Sequence, residues 1–300
     1  MVSLEDLRRR VAGRIRVGES LAPFTALGIG GPAAFLVEPS TEEAFVAAVG
    51  YFRTRDIPCL LIRRGCNLLV APGGYDGAAI SVEGGLAGIA EEDRTACRAG
   101  GGTHAAALVE YCITRGLAGA ESLAGIDGTV AGVLVRDGAP LEGALRALDV
   151  LRDGTVVRLD RTAALRRGDA AGRDVILGAA FRFAQAPKGD LLRARRSHLV
   201  AHMRARPLNI PQSAVMFRDP PGGRAAELIA SSGVRAPGSG SLAFAPGNPN
   251  VIVRTGDAAP ADVLETIDAV RRAVRRRHGV TLEPALTPVG FGARVRREVA

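Results

Sequence analysis

Hydrophobic and polar positions along the chain alternate between the period of a helix and that of a strand. Leu4, Leu7, Val11 and Ile15 recur at helical spacing with charges between them, predicting an amphipathic surface helix and not a secretory signal. "AAFLVEPS" (33–40) predicts a strand that ends at Pro39. "TEEAFVAAVGYFRTR" (41–55) predicts a helix opening on Thr41 with glutamates behind it. "IPCLLIRRG" (57–65) is a continuous apolar run of buried-strand length, and "GAAISVEG" (77–84) is a further strand. The order strand, helix, strand, strand fits an α/β unit.

Glycine punctuates the middle of the chain. "TACRAGGG" (95–102) predicts a strand running into a glycine loop, and "THAAALVEYCITRG" (103–116) a helix with Gly116 as its cap. Two alternating runs flank Asp153-Gly154, a strong hairpin signal over 148–160, and 174–183 predicts another strand. "APKGD" (186–190) reads as a boundary. Beyond it come an Arg-rich helix (191–206) and a strand, Ser213 to Arg218, that stops at Pro220-Pro221-Gly222-Gly223. A helix (224–232) follows, then a strand (250–255), a long amphipathic helix (261–278) capped by Gly279, and a final strand (280–291).

Composition refines this picture in three ways. With 47% hydrophobic residues and 300 positions, the chain is an ordinary soluble globular protein of two or three subdomains. It has no apolar run of membrane-spanning length, so no membrane association is expected and the cytoplasm is the default compartment. Cys59, Cys66, Cys97 and Cys112 form no Cys-x-x-Cys pair and have no histidine at ligand spacing; reduced, mostly buried thiols and no metal site are expected. The net charge is +8 and the basic side chains are nearly all Arg, with clusters at Arg8–Arg10, Arg193–Arg196 and Arg271–Arg277. Aromatic residues do not interleave with these clusters, so they read as solvated helix faces and no nucleic-acid partner is expected. A small anionic or nucleotide-like ligand would use the positive potential equally well.

Two glycine loops carry the candidate chemistry. In "IRRGCNLLV" (62–70) a buried strand turns through Gly65, which can aim successive backbone N–H groups at a phosphate, with Arg63 and Arg64 adding charge. In "AGIDGTVAG" (124–132), Gly125, Gly128 and Gly132 permit close backbone approach. Neither loop matches a nicotinamide-type or Walker placement.

Taken in order, "PFTALGIGGPAAFLVEPST", "IRRGCNLLV", "GGYDGAAI", "AGGGTHAAALVEYCITRGLAGAESLAGIDGTVAG", "PLNIPQSAVMFRDPPGGRAAELIASSGV" and "APADVLETIDAVRRAVRRRHGVTLEPALTPVG" resemble the UDP-N-acetylenolpyruvoylglucosamine reductases (MurB) over nearly the whole chain. The resemblance implies an α+β architecture: an FAD-binding fold of the vanillyl-alcohol oxidase (PCMH) type in two subdomains (1–85 and 86–187), plus a C-terminal α+β substrate domain (188–300). It implies FAD as the hydride carrier, NADPH where reductase activity is kept, and an enolpyruvyl ether on a UDP-sugar as substrate. It places Arg63, Arg64, Gly65, Cys66, Asn67, Leu68, Gly125, Ile126, Gly128, Thr129 and Gly132 at the cofactor.

At the reacting centre this sequence departs from the family. Where the family has a proton-donating Ser, this chain has Val215, and the Lys and Asn of the same strand are Arg218 and Asp219. A Glu expected to polarise the same centre is Ala285, and a Tyr-Arg-x-Ser motif keeps only Arg167. In the loop 241–250, the usual His aligns with Asn248. Ser213 shares a strand face with Val215 but lies about 6.6 Å along the strand, too far to take over proton delivery. These substitutions favour altered chemistry on a small anionic substrate, with Arg167, Arg218 and Asp219 as catalytic candidates. A non-catalytic or flavin-free binding protein ranks second and the reductase itself last.

Overall fold

A computed structural model describes residues 3–63, 65, 67–136, 139–165, 174–205, 213–235 and 240–292. The chain divides into two compact units, one made of 1–15, 37–61 and 80–205 and the other of 16–36, 62–79 and 206–300.

The first unit is built on a five-stranded antiparallel sheet. Its order is Thr155–Asp160, Leu145–Arg152, Val175–Arg182, Ala96–Gly100, Ile89–Glu91. The predicted hairpin is present: Asp153 and Gly154 both take positive φ, 46° and 83°, as a tight two-residue turn between twisted strands requires. Val175–Arg182 is buried along nearly its whole length, which explains its unbroken apolar run. The helices Ala105–Thr114 and Val130–Arg136 contribute Leu108, Val109, Ile113, Val130 and Val133 to the same core as Leu148, Val150 and Phe181. Arg98 crosses the sheet over Gly178, where a Cβ would lie 2.7 Å from the guanidinium carbon. From there it donates to Asp149 at 2.7 Å and to both carboxylate oxygens of Glu42 at 2.9 and 3.0 Å, tying the helix Glu42–Arg53 to the sheet.

The N-terminal helix is shorter than its spacing predicts. It spans Leu4–Arg10, and Ile15 is buried in a strand, Gly13–Ser20. Gly13 sets the break: it has φ +140°, and a Cβ there would stand 2.2 Å from the Glu38 carbonyl oxygen.

Cys97 and Cys112 lie in this core, 0% and 1% exposed. Burial pushes the Cys97 thiol up to about 11 and raises that of Cys112 as well. A thiol reagent at pH 8 should therefore leave both unmodified in the folded protein and label both after denaturation, read by peptide mass mapping. Rapid labelling of either in the native state would contradict this packing.

In the second unit, Ser213–Val215, Asn248–Arg254 and Leu242–Ala245 form an antiparallel sheet in that order, and Leu68–Val70 pairs in parallel with Thr287–Val289. The helix Pro260–His278 buries Val263, Ile267, Val270 and Val274 on one face. It ends on Gly279, whose left-handed φ of 70° lets its N–H bond the Arg275 carbonyl. Leu69, Met216, Phe217, Ile229, Ile252 and Leu282 complete this core. The predicted final strand is paired only over Thr287–Val289, with an isolated bridge from Pro284 to Phe217. Pro284 and Pro288 have no N–H to offer a longer ladder. Among the described residues, no helix is long and apolar enough to cross a membrane and no group of His, Cys, Asp or Glu could hold a metal ion.

Candidate active site

The second unit brings positions 215 and 285 together through one side chain. Asn67 Nδ2 donates to the Val215 carbonyl at 3.1 Å and to the Ala285 carbonyl at 2.9 Å. The Asn67 carbonyl accepts from Thr287 N–H at 3.0 Å, and Ala285 N–H donates to the Met216 carbonyl at 2.7 Å. The loop after Gly65, which is exposed and takes φ +70°, is thus fastened to both segments that carry the expected reacting positions. Leu68 opens the strand that follows. Arg63 is half-buried, while Arg64 and Cys66 lie outside the described residues.

Further along the strand, the ladder ends at Val215 and another amide takes over. Asn250 Oδ1 accepts from Phe217 N–H at 2.9 Å, and its Nδ2 donates to the Phe217 carbonyl at 2.8 Å. Arg218 is exposed, and its partner is Glu283, at 2.9 Å side chain to side chain; Arg218 N–H also donates to the Glu283 carbonyl. Asp219 Oδ1 accepts from Ala225 N–H at 2.8 Å, so its carboxylate caps the helix Ala225–Ser231. The turn behind it closes with Gly223 N–H on the Pro220 carbonyl, Gly222 supplying φ +74°. Arg167 lies outside the described residues.

In the first unit, the second glycine loop is laced to the loop 100–104. Ala105 N–H donates to the Gly128 carbonyl, Val130 N–H to that of Thr103, and Ala131 N–H to that of Gly101. Thr129 is buried, and its hydroxyl accepts from Gly132 N–H at 3.2 Å at the start of the helix Val130–Arg136. Gly125 has φ +88°, and a Cβ there would press His202 at 3.0 Å; Ile126 N–H closes a turn onto the Leu123 carbonyl. At Gly128 a Cβ would meet the Ile126 and Val133 side chains at 3.6 and 3.9 Å, ordinary packing distances.

Glu283, Asn250 and the capping role of Asp219 were not among the sequence candidates. Asn250 alone left a trace: an amide in an otherwise apolar strand, "NVIVRT", is out of place unless it has a job.

Comparison with known proteins bears on what this framework does. Residues 206–288 match the family described as UDP-N-acetylenolpyruvoylglucosamine reductase, C-terminal domain, and residues 33–160 match the FAD binding domain. A UDP-N-acetylenolpyruvoylglucosamine reductase of Alkalilimnicola ehrlichii is 34% identical, the match covering 94% of this chain and 97% of that protein. One of Rubrobacter xylanophilus is 32% identical over 94% and 97%. The crystal structure of the reductase (MurB) from Thermus caldophilus superposes with a TM-score of 0.70 at 26% identity, covering 92% of this chain and 99% of that one. A 6-hydroxy-D-nicotine oxidase from Arthrobacter nicotinovorans, at TM-score 0.52 and 13% identity, shares the fold. The architecture is the α+β FAD-binding fold of the PCMH type, and FAD is its cofactor.

The exposed, left-handed turn at Gly65 leaves its backbone open to a bound cofactor. The expectation of altered chemistry, with a binding protein second and the reductase last, is overturned by these relatives, which match the chain almost end to end under the reductase's name. The physical reason lies in how much any one proton donor contributes. A positioned proton donor multiplies a rate, typically by about 10²–10⁴, and its loss slows a reaction without abolishing it.

Proposed function

We propose, because the chain belongs to the UDP-N-acetylenolpyruvoylglucosamine reductase family, that it reduces the enolpyruvyl double bond of a UDP-sugar with NADPH as reductant. The observation that carries this reading is the match to the Alkalilimnicola reductase at 34% identity over 94% of the chain. The hydride chemistry between NADPH and the double bond would be supplied by bound FAD. The neighbouring carbon needs a proton. Val215 and Ala285 carry none, so on this reading water supplies it. Asn67 holds the backbones at 215 and 285 together, and Asn250 keeps Phe217 in line behind them. The Arg218–Glu283 pair, exposed at the end of the same strand, offers charge to an anionic substrate at its rim. On this reading the protein works in the cytoplasm.

The test is direct. Purified protein should show flavin bands that NADPH bleaches and the enolpyruvyl UDP-sugar restores, with the lactyl ether formed in equal amount to the NADPH consumed. A bleached flavin that the UDP-sugar cannot reoxidise would remove the substrate assignment.

A further inference from the structure

Positive charge is concentrated in one place that the reductase reading does not use. Five of the seven residues Arg271–Arg277 are arginine, and all belong to the second unit. Within the helix Pro260–His278, Asp268, Arg271, Arg272 and Arg275 stand at i, i+3, i+4 and i+7, so their side chains share one face. Past the left-handed Gly279, Thr281 returns beside that face, and the five residues line an open cleft of about 180 Å³.

A solvated helix face disperses its charge among carboxylates, as on the N-terminal helix, where Arg9 and Arg10 pair with Glu5 and Asp6. Here the pattern differs. Arg272 and Arg275 are exposed, and no carboxylate lies within 4 Å of either among the described residues. Asp268 is the one carboxylate of the cleft, so its three guanidinium groups leave two positive charges in excess. Like charges held side by side on one face repel, and an anion between them would recover that cost. The helix dipole favours arginine throughout the last turn, Arg277 included, but it does not gather three of them with a hydroxyl around one cleft.

The donor set identifies the anion. Guanidinium forks match phosphate oxygens, and the Thr281 hydroxyl adds a further donor. No aromatic side chain among the described residues lines the cleft to stack a base, so only the charged head of a ligand is held. We propose that Arg271, Arg272, Arg275 and Thr281 form a phosphate-binding site for a phosphate monoester or pyrophosphate group. The site is independent of the reductase reading, and failure of either leaves the other standing.

Arginine-specific labelling reads the site directly. In the native full-length protein, pyrophosphate at ten times its dissociation constant should slow phenylglyoxal modification of Arg272 and Arg275 about tenfold, followed by peptide mass mapping. Arg277, exposed on another side of the same turn, is the internal control and should react at its original rate. By calorimetry, Arg275→Ala should weaken pyrophosphate binding about tenfold and Thr281→Val about threefold, while Arg277→Ala, which removes the same charge two residues on, should stay within about twofold of wild type. All three side chains are exposed, so these variants should fold. Equal protection of Arg277, or equal weakening by Arg275→Ala and Arg277→Ala, would reveal a diffuse positive field and overturn the inference. Labelling that pyrophosphate does not slow would overturn it as well. Uridine diphosphate and phosphatidic acid vesicles then identify the carrier: protection by the first alone assigns a soluble nucleotide, by the second alone a lipid headgroup.

Discussion

Val215→Ser should raise kcat for reduction of the enolpyruvyl UDP-sugar about a hundredfold, the low end of what a positioned acid contributes. The backbone at this position does not depend on the side chain. Its carbonyl is held by Asn67 at 3.1 Å and Ala214, just before it, pairs with Ile252. A serine there would place a hydroxyl where valine now offers only methyl groups, with no need for the strand to move. Valine 215 is half-exposed, so the exchange costs little burial. KM should change little, because the hydroxyl serves the proton transfer and not the grip on the nucleotide.

Ala285→Glu should add less alone and more in the presence of Val215→Ser, since two groups acting on one centre are not additive. Kinetics of both single variants and the double variant decide this. If Val215→Ser turns over no faster than wild type, the proton reaches the substrate from a group that does not stand at 215, and water is not the donor in the native chain.

Local elements were legible wherever a local cause produced them. Asp153-Gly154 announced its hairpin because a two-residue turn needs positive φ at both positions, and those residues tolerate it. Gly279 announced the end of Pro260–His278 for a similar reason. The helix that stops at Arg10 was misjudged because its cause is remote: Gly13 must lie against the backbone of Glu38, and apolar spacing carries no trace of that contact.

The candidate site divides along the same line. Gly65 and Gly125 both take positive φ, a conformation that glycine's backbone freedom makes legible. The clamp at Asn67 is not legible, since its two bonds span 148 and 218 residues of sequence. The functional ranking failed differently. The expectation of altered chemistry rests on two side chains, Val215 and Ala285, against a match that runs the length of the chain.

Asn250→Ala should destabilise the protein by about 3 kcal/mol. Asn250 is 6% exposed and replaces a strand that is not there: beyond Val215 its side-chain amide gives Phe217 both the acceptor and the donor that a neighbouring backbone would. Alanine leaves a buried N–H and a buried carbonyl without partners, each costing roughly 1–3 kcal/mol. The residue's own backbone bonds, Met216 N–H to its carbonyl and its N–H to Asn248 Oδ1, survive the change, so the sheet should persist and the damage centre on Phe217. For a unit of this size the loss corresponds to a fall in melting temperature of roughly 6–12 °C. Asn250→Asp keeps the acceptor and loses the donor, and should remain destabilised because its carboxylate would face the Phe217 carbonyl. Because Phe217 stands two residues from 215 on the same stretch of backbone, kcat should fall in Asn250→Ala even at temperatures where the variant is fully folded. A variant that melts like wild type would mean that water replaces the amide without cost. One that melts lower but keeps full kcat would separate the seating of Phe217 from the chemistry at 215.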